Sequence, residues 1–172
     1  MEINVAKISK VENVREFFKI VDASADREIS FYGEAHKIVP PIIVEGFAIN
    51  YEGKIEVELN ISAKIEMICS RCMESYVHNI STTSYFTFAR TVNNDDTECH
   101  LYKGESIDIT DLVLNEIAAE IPMKPLCNTQ CKGLCPKCGI NKNITDCTCK
   151  TDTVDSRLQI LSKLLEEEQG GV

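Results

Sequence analysis

Ile55-Glu56-Val57-Glu58-Leu59-Asn60-Ile61-Ser62-Ala63-Lys64-Ile65-Glu66-Met67 alternates apolar and polar side chains without interruption. Successive side chains of a strand point to opposite faces, so this stretch predicts a strand with one buried and one wet side. Before it, Glu52-Gly53 interrupts a second run in which Ile43, Phe47, Ile49 and Tyr51 occupy odd positions. Two alternating runs joined by a glycine-containing turn predict an antiparallel hairpin, and Pro40-Pro41 marks a break at its start. Nearer the N-terminus the signals are short: Ile3, Val5 and Ile8, then Phe17, Lys19 and Val21 in a candidate strand. Past Met67 the strand runs into Cys69-Ser70-Arg71-Cys72. A third β-rich run follows from Tyr76 to Phe88, then a polar turn at Asn93–Asp96 and one more short strand at Leu101 and Tyr102.

Helical periodicity appears only late. Ile109, Leu112, Val113, Ile117 and Ile121 share one face of a helix over 109–121, with Asp108 or Thr110 as cap and Pro122 as stop. A terminal helix fits Val154, Leu158, Leu161, Leu164 and Leu165, with a loose tail after it. The expected fold is α+β: a curved antiparallel sheet with one or two C-terminal helices and a small cysteine-rich, zinc-binding segment. The expected organisation is a β-rich core over 1–122, a cysteine-rich module over 123–150, and a terminal helix and tail over 151–172.

The N-terminal residues have no basic region followed by an apolar run, and no stretch approaches the roughly 20 apolar residues of a membrane span. These features predict a cytoplasmic, reducing environment, where clustered cysteines hold metal or do redox work rather than form structural disulfides. A net charge of −9 argues against a generally basic nucleic-acid binder.

Six of the nine cysteines fall between Cys127 and Cys149. Cys135-Pro136-Lys137-Cys138-Gly139 is the sharpest local signal. A Cys-x-x-Cys turn lets two sulfurs reach one ion, and the following glycine can adopt positive φ, turning backbone N–H groups towards the thiolates. Cys127 and Cys131 complete four ligands with that pair, and Cys147 and Cys149 compete for the same places. Cys69 and Cys72 bring the candidates to eight, enough for two four-cysteine zinc sites, with Cys99 left over. The distal segment has few apolar residues beyond Leu126, Leu134, Ile140 and Ile144, so burial alone cannot fold it, whereas a structural zinc supplies roughly 10–16 kcal/mol. An all-thiolate set leaves no open position for a catalytic water. Cys69–Cys72 also admits thiol–disulfide exchange, with Arg71 lowering a thiolate pKa. Redox pairs, however, usually open a helix, whereas this one ends a strand.

Lys132, Lys137, Lys142 and Lys150 face only Asp146 between Cys127 and Lys150, which makes this stretch basic in an acidic chain. Four thiolates around one Zn²⁺ reduce the excess to about +1. Arg71 and Lys124 add to the candidate RNA-contacting set. The alternative is that these lysines only keep a zinc module soluble. No phosphate loop and no nucleophile elbow is present.

Several motifs together resemble the bacterial YceD family, named for accumulation of the large-subunit ribosomal RNA. They are Cys69-Ser70-Arg71-Cys72-Met73, Pro122-Met123-Lys124-Pro125-Leu126-Cys127, Cys131-Lys132-Gly133-Leu134-Cys135-Pro136-Lys137-Cys138-Gly139-Ile140-Asn141, Cys147-Thr148-Cys149 and Asp155-Ser156-Arg157-Leu158. Met73 and Ser156 depart from the Leu and Pro common in that family. The resemblance implies a bacterial cytoplasmic, non-enzymatic factor needed for normal 23S ribosomal RNA levels, acting on precursor RNA or on a ribosomal protein. It also implies that some members keep the first Cys-x-x-Cys and lack the distal cluster. Two other readings stand beside it: a protein-only partner that chaperones a basic ribosomal protein, and a thiol oxidoreductase using Cys69 and Cys72.

Overall fold

The computed structural model describes residues 1–24, 27–31, 33–91 and 99–149. The expected terminal helix over 151–172, the turn at Asn93–Asp96 and Lys150 lie outside the described residues. The chain forms two compact units. The first comprises Met1–Ser70 and Glu74–Thr129; the second comprises Arg71–Met73 and the described residues from Gln130 onward.

The first unit is built on a curled mixed sheet. Its strands are β2 (Arg15–Asp22), β3 (Glu28–Phe31), β4 (Glu34–Tyr51), β5 (Lys54–Ile68), β6 (Ser75–Ala89) and β7 (Cys99–Leu101). The order is β2-β4-β5-β6-β7, with β3 also paired to β4. All of these pairings are antiparallel except the last, where the three residues of β7 run parallel to the end of β6. The sheet is therefore mixed, not wholly antiparallel. A small separate ladder joins β1 (Glu2–Asn4) to β8 (Ser106–Asp108).

The hairpin expected from the alternation is β4–β5. Tyr51 pairs with Lys54 across a two-residue loop, and Glu52 and Gly53 both have positive φ (51° and 78°), the backbone shape that matches strand twist. The register shifts between Val39 and Ile43, around Pro40-Pro41, whose peptide bond is cis. Proline has no N–H to give a ladder and is tolerated at such an irregularity.

Along β5 the odd positions from Ile55 to Met67 are all buried, as the alternation predicts. In β4 and β2 the core-facing residues are the even-numbered ones, not the odd-numbered apolar residues that stand out in the sequence. Ile42, Val44 and Ala48 face the core, while Tyr51 is exposed; Phe18 and Ile20 pack against the core, while Phe17, 75 % exposed, and Val21 face outward. Both faces of these strands carry apolar residues, so periodicity alone could not say which face is inward.

Helix α1 (Thr110–Ala119) covers the inner face, burying Val113 and Ile117, with Ile109 and Ile121 in the same row just beyond its ends. The Asp108 carboxylate accepts hydrogen bonds from the Thr110 N–H (2.8 Å) and hydroxyl (2.6 Å), and these bonds lower its pKa. Ser84 of β6 donates a hydrogen bond to Glu116 of the helix, and Thr82 donates one to Glu120 just after it. Among the described residues no helix is long and apolar enough to cross a membrane.

Among its described residues the second unit shows no such core. Its buried side chains among the described residues are Cys72, Cys131 and Cys135, while Leu134, Ile140 and Ile144 are exposed.

Candidate metal centres

The buried phase of β5 continues beyond Met67 to Cys69, which is completely inaccessible to solvent. The hairpin closes when the Cys69 N–H donates to the Glu74 carbonyl (2.9 Å), with Met73 at φ 61°. The same arrangement recurs at the sharpest motif of the sequence. There the Cys135 N–H donates to the Ile140 carbonyl (2.8 Å), and Gly139, the residue after the second cysteine, sits at φ 74°. Both Cys-x-x-Cys segments are thus knuckles of one design: a backbone bond from the first cysteine to the residue five positions on, and a left-handed residue after the second.

The cysteine sulfurs fall into two groups of four, and within each group all Sγ atoms lie within 4.8 Å of one another. Cys69 and Cys72 meet Cys127 and Cys131; Cys135 and Cys138 meet Cys147 and Cys149. The set of Cys127, Cys131, Cys135 and Cys138, the one compact in sequence, is not the one assembled. All nine cysteines are free thiols, so none is a disulfide, and Cys99 belongs to neither group. A tetrahedral ion with about 2.3 Å bonds to sulfur needs sulfurs about 3.8 Å apart. A ceiling of 4.8 Å on the sulfur separations in both groups is compatible with that demand, and their donors are the soft thiolates such an ion prefers. Each group could hold a metal ion.

Electrostatics in the second group show how the sulfurs behave without a cation. Backbone N–H groups of Cys138 and Lys137 point at Cys135 and lower its pKa to about 6. Hydrogen bonding to Cys135 raises Cys147, and hydrogen bonding to Cys138 with burial raises Cys149 to about 12. Four sulfurs this close cannot all ionise unaided. A divalent cation removes the repulsion and displaces the remaining protons.

Residues not singled out from the sequence hold the loops in place. The Asn143 side-chain amide donates to Cys131 Sγ (3.2 Å) and to the Asn141 side-chain oxygen (2.8 Å), while its own oxygen accepts the Lys132 N–H (2.8 Å). Such outer contacts orient metal ligands. Gly133 is buried against Arg71, where a Cβ would lie 2.9 Å from the Arg71 carbonyl oxygen. That carbonyl accepts the Leu134 N–H (2.9 Å). Only the repeated asparagines of Asn141–Asn143 offered a sequence signal, since asparagine favours turns.

The expected RNA-contacting residues are placed as follows. Arg71 is exposed, yet its Nη1 donates to the Cys131 carbonyl (2.9 Å), which gives the side chain a positioning role in the second unit. Lys132 lies 4.0 Å from the Asp146 carboxylate on an open surface. Lys124 and Lys137 are exposed and Lys142 is half-buried. His78 stacks edge-on with Tyr76, and His100 lies against Phe86 and Phe88; neither joins the cysteine groups.

Fold and sulfurs together define a class: an α+β sheet protein carrying two four-cysteine centres able to hold metal. The chain belongs to the YceD family, whose model, described as large ribosomal RNA subunit accumulation protein YceD, matches residues 57–165. The uncharacterized protein YlbN of Bacillus subtilis is 33 % identical over 133 residues, covering 76 % of this chain and 77 % of that protein. An uncharacterized protein of Mycobacterium tuberculosis is 27 % identical over 77 residues, 42 % of this chain and 37 % of that one. The chloroplastic large ribosomal RNA subunit accumulation protein YCED homolog 1 of Zea mays is 45 % identical over 51 residues, 29 % of this chain and 17 % of that protein. No solved structure matches the chain significantly.

Proposed function

We propose that the protein is a zinc-stabilised, non-enzymatic cytoplasmic factor that supports accumulation of 23S ribosomal RNA during assembly of the large ribosomal subunit. The observation that carries the metal part is the burial pattern of the described residues of the second unit, among which the buried side chains are cysteines while Leu134, Ile140 and Ile144 are exposed. An all-thiolate set of donors favours zinc and a structural role over a catalytic one. Membership of a family named for large ribosomal RNA accumulation supports the assignment to ribosome assembly. Precursor RNA is the partner in this reading, with Lys124, Lys132, Lys137, Lys142 and Lys150 making phosphate contacts and Arg71 adding charge beside its bond to Cys131. Few contacts of this kind give modest, salt-dependent affinity.

A second reading has a specific observation behind it. The net charge of −9 suits a basic ribosomal protein better than RNA. The thiol-exchange reading loses support from the burial of Cys69 and Cys72 and from their place in a four-sulfur group.

Ultraviolet crosslinking in living cells, followed by sequencing of the RNA recovered with the protein, separates the first two. Reads concentrated on a limited part of the 23S precursor are the expected result. RNA no higher than background transfers the function to a protein partner.

A further inference from the structure

A cleft lies at the Glu52–Gly53 end of the sheet, in the first unit, remote in sequence from both cysteine groups. It has a volume of ≈ 500 Å³, and among the described residues Lys10, Lys54 and Arg90 line it together with the carboxylate of Glu52. The three cations come from three separate elements: the 3-10 turn at Ile8–Lys10, the first residue of β5, and the residue after β6. In a chain of net charge −9, a concave surface lined this way concentrates positive potential locally.

The cleft is built rather than incidental. Asn50, a buried polar residue only 4 % exposed, ties its walls together. Its side-chain nitrogen donates to the carbonyls of Ile8 (3.2 Å) and Ser9 (3.3 Å), and its oxygen accepts the Gly53 N–H (3.2 Å). The 3-10 turn bearing Lys10 is thereby fixed against the hairpin bearing Lys54. Arg90 is ordered as well: its Nε donates to the Tyr102 hydroxyl (3.4 Å) and its Nη2 to the Gly104 carbonyl (3.3 Å), with the guanidinium 5.6 Å from the Tyr102 ring centre. An ordered guanidinium with ammonium groups around one cavity suits a tetrahedral oxyanion, because arginine offers a fixed fork of donors and lysine a mobile point charge.

We infer that this cleft binds phosphate, and that its physiological ligand is a backbone phosphate of single-stranded RNA. The RNA part rests on the reading proposed above; the phosphate part rests on the cleft alone. The cleft then adds a phosphate contact to those of the lysines beside the cysteines.

The test is amide NMR on the full chain with its metal in place, titrated first with inorganic phosphate and then with a short single-stranded oligoribonucleotide. Both titrations should move the amides of Lys10, Gly53, Lys54 and Arg90. Lys10→Ala and Arg90→Ala should each weaken RNA binding several-fold and reduce the log-affinity against log-salt slope by about 0.7. Arg90→Lys, which keeps the charge, should retain the phosphate-induced shifts and guards against misreading a folding defect. RNA that binds while these amides stay still overturns the inference and leaves the RNA reading standing. Phosphate shifts here without RNA binding uphold the anion site and overturn its assignment to RNA. Shifts with neither ligand overturn both parts of the inference.

Discussion

The sheet unit and the cysteine-rich unit are held together by different physics. In the first, aliphatic side chains from β4, β5, β6 and α1 leave water together, and each contributes its share of the hydrophobic term. In the second, the described residues bury cysteines and leave Leu134, Ile140 and Ile144 in solvent. The described part of that segment cannot offset its conformational entropy through burial, and in the reading proposed above its order comes from ions held by its sulfurs. One unit should therefore melt gradually under substitution, while the other should switch between folded and unfolded with its metal.

Metal removal is the sharpest way to break that contrast. A strong chelator, or the Cys135→Ser/Cys138→Ser pair, should abolish hydrogen-exchange protection over 130–149, a loss on the scale of about 10–16 kcal/mol for a structural zinc. The far-ultraviolet β signal of the sheet should survive. Elemental analysis of the intact protein should find two metal ions per chain, and one in the double variant. A chelated protein whose 130–149 amides stay protected would show that the unit folds without metal.

Within the sheet, Leu59→Ala removes a fully buried side chain from the centre of β5. Cavity formation there should cost about 2–5 kcal/mol in chemical denaturation, while the metal content stays at the wild-type value. A fall in metal content with this variant would mean that the two units do not hold their structure independently.

Acid should act on the cysteine unit first. Cys149 holds its proton to about pH 12 in the metal-free protein and must give it up when an ion binds. Affinity therefore rises with pH, by about tenfold per unit for each proton displaced. Competition with a zinc indicator between pH 8 and pH 6 should show affinity falling at least a hundredfold, and a flat profile would refute thiolate ligation by Cys149.

What was legible in the sequence follows the same division. The strict alternation of β5 revealed a strand and its inward face, and the structure carries that phase on to the buried Cys69. The period-4 row from Ile109 to Ile121 located the helix. In β2 and β4 apolar residues lie on both faces, so the inward phase had to come from pairing with β5, which places Val44 opposite Ile61 and Ala48 opposite Val57. The eight sulfurs were legible as two sets of four, but not their partition. Cys127 and Cys131 are closer in sequence to Cys135 than to Cys69, and it is the folded chain that brings them to the β5–β6 turn. The asparagines of Asn141–Asn143 signalled a turn but not the Asn143 bond to sulfur, because an amide that donates to a sulfur has no spacing rule.

Asn143→Ala tests that hidden contact. It removes the donor to Cys131 Sγ and the acceptor for the Lys132 N–H. Loss of such an outer contact should weaken metal binding about 10–100-fold while leaving the stoichiometry unchanged. Unaltered metal off-rates in a chelator chase would reduce Asn143 to a turn residue.

The smallest effect compares the two knuckles with each other. They share a hydrogen-bond pattern and a left-handed residue, but one uses Gly139 and the other Met73. A side chain in that conformation costs roughly 1–2 kcal/mol, whereas glycine costs about 0.5–1 kcal/mol in lost chain entropy. Met73→Gly should therefore raise stability by up to about 1 kcal/mol, and Gly139→Ala should lower it by about the same amount. Thermal denaturation of the metal-loaded variants measures both. If Met73→Gly destabilises the protein instead, the methionine side chain contributes packing that its 65 % exposure does not reveal, and the two knuckles are alike only in backbone.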